Sequence, residues 1–244
     1  MEVVDITTYN NQLELLSLRV NILQDVVDRF YVVQATKTHQ GTPKECLDFK
    51  HPKVQMVTID FPEGLDNWGR ENYQRDYRVD LSLFGQDAIV MNSDLDEIPS
   101  PESIIWLKEN FNPQKVYLFN QRMFQYYLNN RNWSEEWYGT RAYSMESYHK
   151  FGAQKIRTMK AAILPDAGWH FSFLGGLEEV KTKIKTYAHA EFNNEGILSS
   201  IEEQMEKNED VFHRGFKLEA VPIDESYPAY IRDHQEELAH LIKL

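Results

Sequence analysis

Two periods organise the apolar positions of the first hundred residues. Residues 3–9 form a β-prone run that stops at the turn signal Asn10-Asn11. Leu13, Leu16, Val20, Leu23 and Val27 then recur at spacings of three and four, with Leu15, Leu18 and Ile22 beside them, which predicts a helix with a wide apolar face. Short β-prone runs at 30–33, 54–59 and 88–91 read as buried strands. Tyr73, Tyr77, Leu81 and Phe84 share one stripe, which predicts a helix over 71–84. Strands alternating with helices point to the α/β class: a mostly parallel, twisted sheet flanked by helices on both faces.

The second half is less regular. Pro101, placed for a first helical turn, predicts a helix to about residue 110, with a strand at 116–119. Residues 121–150 are crowded with Tyr, Trp, Arg and Asn and show no clean period, so they read as loops with short strands around a binding surface. Residues 161–174 read as strand and 177–192 as helix, with Gly175-Gly176 between them, and further helices are expected near 195–208 and 232–243. No Pro-, Gly- or Ser-rich linker separates the halves, so residues 1–244 read as a single domain.

Composition narrows the function classes. With 38 acidic and 26 basic side chains the formal charge is −12, which argues against a broad nucleic-acid or anionic-membrane surface. The single cysteine, Cys46, cannot form an intrachain disulfide. No apolar stretch approaches the roughly 18 residues of a membrane span. The first residues, Met1-Glu2-Val3-Val4-Asp5, lack the positive charge of a signal peptide, so a soluble, cytoplasmic protein is the expectation.

The strongest chemical signal is Asp94-Leu95-Asp96-Glu97-Ile98-Pro99, directly after the apolar run at 88–91. In an extended segment side chains two apart point the same way, so Asp94 and Asp96 can converge at the carboxyl end of a strand, where open α/β sheets bind ligands. Two hard oxygen donors suit Mg²⁺ or Mn²⁺, although Asp-x-Asp alone equally describes a solvated acidic turn. An EF-hand is excluded because Pro99 takes the sixth position, where that loop needs glycine. If such a protein binds a nucleoside diphosphate, a divalent cation must stand between like charges. Basic side chains should also approach, and Arg75 is a candidate, although its spacing from Glu71 fits a surface ion pair better.

An ordered set of blocks carries a resemblance. Tyr9-Asn10-Asn11-Gln12-Leu13-Glu14-Leu15-Leu16, Asp25-Val26-Val27-Asp28, Gly41-Thr42-Pro43-Lys44, Trp68, Tyr73, Arg75, the Asp94–Pro99 block and Gly168-Trp169-His170-Phe171-Ser172 together resemble glycosyltransferase family 17 over about residues 5–192. The resemblance implies a GT-A-type fold, a UDP-N-acetylglucosamine donor, a divalent metal (Mn²⁺ or Mg²⁺) and inversion at the anomeric carbon. It makes residues 1–99 the nucleotide-sugar-binding half and 100–244 the acceptor-side half. By the same resemblance Asp94 and Asp96 match the metal-binding D-x-D, and Tyr9, Asn10 and Asn11 lie where the first strand meets the nucleotide, with Arg75 nearby. Two departures bear on donor identity. Gln12 stands where relatives commonly have Glu, and Gln34-Ala35 where they have Glu-Ser, so two carboxylates are missing near the expected donor pocket.

Other roles stay open between candidates. His170 reads either as a hydrogen-bonded core residue or as the third metal ligand, with His189 competing and the resemblance favouring His170. Inversion needs a general base for the acceptor hydroxyl. Glu178 is the choice, at an expected helix start after Gly175-Gly176, with Asp166 and Glu191 behind it; Glu178 and Glu179 equally suit a helix N-terminus as plain dipole partners. The segment Phe124-Gln125-Tyr126-Tyr127-Leu128-Asn129-Asn130-Arg131-Asn132-Trp133 offers rings and amides suited to a sugar's C–H faces and hydroxyls. The reading is therefore a metal-dependent inverting glycosyltransferase that takes a nucleotide sugar and a glycan acceptor. A Mg²⁺-dependent phosphatase or nucleotidyltransferase, and a non-catalytic carbohydrate-binding protein on the same fold, are the alternatives.

Overall fold

A computed structural model describes residues 1–244. The first four elements follow the apolar runs: β1 (Val3–Tyr9), α1 (Leu13–Leu23), β2 (Arg29–Ala35) and β3 (Val54–Ile59), although β3 stands at the sheet edge and buries only Ile59; the polar α2 (Asn67–Arg75) comes next. Then come β4 (Ile89–Asp94), β5 (Glu97–Pro99), α3 (Pro101–Asn110), β6 (Tyr117–Gln125), β7 (Asn130–Ser144), α4 (Met145–Lys150) and α5 (Ala153–Arg157). The chain closes with β8 (Ala162–Leu164), β9 (Gly168–Ser172), α6 (Leu177–Thr186), α7 (Glu195–Glu206), β10 (Leu218–Ala220) and α8 (Ala229–Asp233).

One ten-stranded sheet carries the molecule, in the order β3-β2-β1-β4-β7-β6-β9-β5, with β10 on β7 and β8 on β6. The β3-β2-β1-β4 half is parallel. The sheet as a whole is mixed rather than mostly parallel, because the β6–β7 hairpin inserts β7 antiparallel against β4. Alternation along the central strands explains the layers. Val3, Phe30 and Val32 pack into one core with α1 and α3, whereas Val4, Ile6, Tyr31 and Val33 pack into a second on the opposite face. A third cluster joins Tyr126 and Phe173 to Val180 and Ile184 of α6 and Ile201 and Met205 of α7.

Four segments depart from expectation for identifiable reasons. α2 ends at Arg75 instead of running to residue 84. Val79 and Leu81 are buried and Tyr77 and Phe84 pack on the same core from an irregular chain, so burial produced the stripe without a helix. Residues 121–150 are mostly the long β6–β7 hairpin. Register shifts between Leu118 and Asn120 and between Arg122 and Phe124 break the two-residue period that would have revealed it. The expected helix over 177–192 stops at Thr186, where its last carbonyls are taken from outside: His39 N donates to Thr186 O, and Gln40 Nε2 to Ile184 O. The expected helix over 232–243 is only the end of α8 and a short 3₁₀ turn at Ala239–Leu241, because that backbone pairs with the β6–β7 connection, Leu128 N donating to Leu241 O.

Candidate active site

β1 and β4 run side by side in parallel, with Thr8 opposite Asp94, so their carboxyl ends open on one cleft. A cavity of about 360 Å³ lies there. β1 and the residues after it supply Tyr9, Asn10, Asn11 and Gln12; α2 supplies Glu71, Gln74 and Arg75; β4 and its turn supply Asp94 and Asp96. From the second half come Trp137 of β7, Arg157 of α5, His170 of β9 and Lys183 of α6, with Tyr187 and His189 beyond the helix.

The acidic turn is fixed from beneath. Arg19 of α1 is fully buried, grips Asp5 through Nε and Nη2 at 2.8 and 2.7 Å, and donates Nη2 to Ser93 Oγ at 2.5 Å. Its Nη1 donates to the carbonyl oxygens of Asp94, Leu95 and Glu97 at 3.3, 3.3 and 2.8 Å. Glu97, equally buried, accepts from Asp94 N at 2.9 Å, from Trp137 Nε1 at 2.8 Å and from Arg157 Nη2 at 3.1 Å. Gly139 of β7 makes room for that carboxylate, since a Cβ there would collide with it.

Each pocket carboxylate meets a cation of the chain. Arg75 Nη2 lies 2.9 Å from Asp94 Oδ1 and 2.7 Å from Glu71 Oε1, so the ion pair with Glu71 exists but is buried and extends into the site. Arg157 Nη2 stands 3.7 Å from Asp94 Oδ2. Lys183 Nζ lies 2.6 Å from Asp96 Oδ2, which also faces His170 Nε2 at 3.4 Å. Burial alone would raise both Asp carboxyls, but these neighbours outweigh it: Arg75 and Arg157 hold Asp94 low, and Lys183 and His170 hold Asp96 far below the usual carboxylate range. Burial lowers His39, which shares a 2.7 Å hydrogen bond with Gln74, and pushes the Tyr9 phenol up to about 12, helped by Glu179. The His170 ring packs against Trp137, tilted by 32°, with ring centroids 4.3 Å apart.

Against this geometry the family comparison is decisive: the model of glycosyltransferase family 17 matches residues 1–215. The chain belongs to glycosyltransferase family 17. Three relatives carry the name beta-1,4-mannosyl-glycoprotein 4-beta-N-acetylglucosaminyltransferase, from Homo sapiens, Rattus norvegicus and Mus musculus. Each is 28% identical over 124 residues, a match that covers 43% of this chain and 23% of the relative. The family-17 chain thus spans less than a quarter of the curated relatives it matches.

Of the residues singled out in this family-17 sequence, Tyr9, Asn10, Asn11, Arg75, Asp94, Asp96 and His170 all line the one pocket. Glu178 does not. Its side chain is 84% exposed, pairs with Lys181 at 3.1 Å and does not line the cavity. Asp166 is tied to Arg122 elsewhere on the surface, and Glu191 stands behind His189 with its Oε1 2.7 Å from His189 Nδ1. Gln34, at the second departure from the family pattern, is not a lining residue; it clamps Leu47 by accepting from its N and donating to its O, both at 2.8 Å. Gln12, at the first, lines the pocket with a buried Nε2 that has no partner.

The expected metal ligands do not fit a cation as they stand. Two carboxylates and an imidazole are suitable donors for Mn²⁺. Yet no three His, Cys, Asp or Glu side chains of the chain form a group that could hold a metal ion. Asp94 faces guanidinium groups, and the Asp96 oxygen nearest His170 is paired with Lys183. Sequence reasoning missed Lys183, Arg157 and Arg19. The one available signal was positional: Lys183 lies beside Val180 and Ile184 on the buried stripe of α6, an unusual place for a lysine without a partner.

Proposed function

We propose that this chain transfers a sugar, N-acetylglucosamine in the first instance, from a UDP-sugar to a glycan hydroxyl with inversion. The observation that carries the reading is the convergence of Arg75, Arg157 and Lys183 on the Asp94–Asp96 turn at the carboxyl ends of β1 and β4, in a chain of family 17. In such a reaction the acceptor oxygen bonds to the anomeric carbon, the bond from that carbon to the phosphate oxygen breaks, and its electron pair leaves with UDP. Arg75, Arg157 and Lys183 supply positive charge for the departing diphosphate. Gln12, with its free amide hydrogens, and Asn10 and Asn11 supply donors and acceptors for the rest of the donor.

The proton of the acceptor hydroxyl needs a base on the open side of the cavity. His189 lines the cavity with its side chain 43% exposed, edge-on to the exposed Trp68 with ring centroids 4.5 Å apart. With Nδ1–H donated to Glu191, its Nε2 is left to take the proton, and Trp68 offers a face for an acceptor sugar ring. The experiment is UDP release from UDP-N-acetylglucosamine, UDP-galactose and UDP-glucose, with and without oligosaccharide acceptors and Mn²⁺, alongside calorimetry with UDP. Release from at least one donor, raised by an acceptor, is expected. Folded protein that neither binds UDP nor releases it from any donor sinks the proposal.

A further inference from the structure

Asp96 and His170 are the pair that donor chemistry would select for a divalent cation, and the oxygen they share already has one positive partner. Lys183 reaches it from α6, its Nζ 4.8 Å from the centre of the Phe173 ring and 2.6 Å from Asp96 Oδ2. The side chains of Lys183 and Asp96 are only 18% and 10% exposed, so water does little to loosen the pair. The other two pocket cations are more constrained. Arg75 is shared between Glu71 and Asp94, and Arg157 between Glu97 and Asp94, whereas Lys183 forms its ion pair with Asp96 alone. A lysine is also the side chain suited to changing partners: a compact charge with three donors on a flexible stem. Three lining cations, Arg75, Arg157 and Lys183, face three lining carboxylates, Glu71, Asp94 and Asp96. An entering diphosphate therefore tips the balance negative, and Lys183, held by one carboxylate where each arginine is held by two, is the cation placed to change partners.

We infer that Lys183 is a built-in counter-ion standing in the cation position of Asp96, which keeps divalent metal off the free protein and moves to the diphosphate when nucleotide enters. The second half rests on the nucleotide-sugar reading above; the first half does not. A counter-ion so placed sets the order in which the carboxylate becomes available.

Electron paramagnetic resonance of Mn²⁺ titrated into the protein tests both halves. Wild-type protein without nucleotide is expected to leave the Mn²⁺ signal unchanged. Lys183→Met is expected to bind one Mn²⁺ at least tenfold more tightly, and to lose it again when Asp96→Asn is added. Lys183→Arg, which keeps a cation there, should stay silent, and thermal melts of all variants show which are folded. Adding UDP to the wild type should open the site to Mn²⁺. Mn²⁺ bound to the nucleotide-free wild type as tightly as to Lys183→Met overturns the inference. Should Lys183→Met not fold, Mn²⁺ binding to the free wild type that Asp96→Asn abolishes overturns it equally. If calorimetry shows UDP bound but Mn²⁺ still excluded, the transfer of Lys183 is wrong while the nucleotide reading stands. No UDP binding sinks the nucleotide reading and leaves the comparison of Lys183→Met with the wild type to decide the counter-ion.

Discussion

Arg19 holds the acidic turn by its backbone, so it determines where Asp94 and Asp96 stand without lining the cavity. Removing it strands Asp5, which is fully buried and has no other ion-pair partner. Breaking one side of a buried pair typically costs about 3–5 kcal/mol, because the remaining charge is left uncompensated. Arg19→Met should lose stability in that range in urea denaturation, and Arg19→Met with Asp5→Leu should recover most of it. A single variant as stable as wild type would show that the pair does not anchor the turn. The pocket carboxylates make a separate prediction through pH. Arg75 and Arg157 depress Asp94, and Lys183 and His170 depress Asp96, against the opposing effect of burial. The unfolded chain then binds protons that the folded chain refuses. Their contribution is fully present above the ordinary carboxylate value, about 4, and is lost as pH falls through the lower folded values. Unfolding free energy measured from pH 5 to pH 2 should fall, and Asp96→Asn should flatten that fall even if it lowers stability at neutral pH.

α6 shows how one element divides into functional and ordinary parts. Its first turn carries Glu178 into solvent, while its far end delivers Lys183 to the pocket and leads the chain to Tyr187 and His189. Glu178→Ala should therefore change stability by no more than about 0.5 kcal/mol and leave turnover intact. His189→Gln should lower kcat about a hundredfold or more at an unchanged melting temperature. Loss of turnover in the Glu178 variant would return the base to the helix start. The same helix marks where the sequence was legible. β1 to β4 and α3 could be read because each is an apolar run or a capped helix whose signal is local, as with Ser100 accepting from Ser103 N ahead of Pro101. Asp94 and Asp96 could be read because they follow such a run. The β6–β7 hairpin could not, because its bulges erase the alternation, and Lys183 could not, because it meets Asp96 across 87 residues of sequence. Tertiary pairing at that distance leaves no periodic trace.

At the scale of the whole molecule the charge of −12 acts on anything anionic that approaches. The pocket offers no local excess of positive charge to offset it, since Arg75, Arg157 and Lys183 are matched by Glu71, Asp94 and Asp96. A nucleoside diphosphate thus meets net repulsion at long range and finds its cations only on contact. Salt shortens the reach of the repulsion, from a screening length of about 30 Å at 0.01 M to about 8 Å at 0.15 M, but does less to the buried pairs inside. The association rate of UDP, followed by stopped-flow fluorescence, should therefore rise with ionic strength over that range, while its dissociation rate changes little. The slope tests where the field comes from. A rate that falls with salt would mean that the cluster around Lys183 attracts the ligand before contact, and that its carboxylates are not neutralising it as their distances imply.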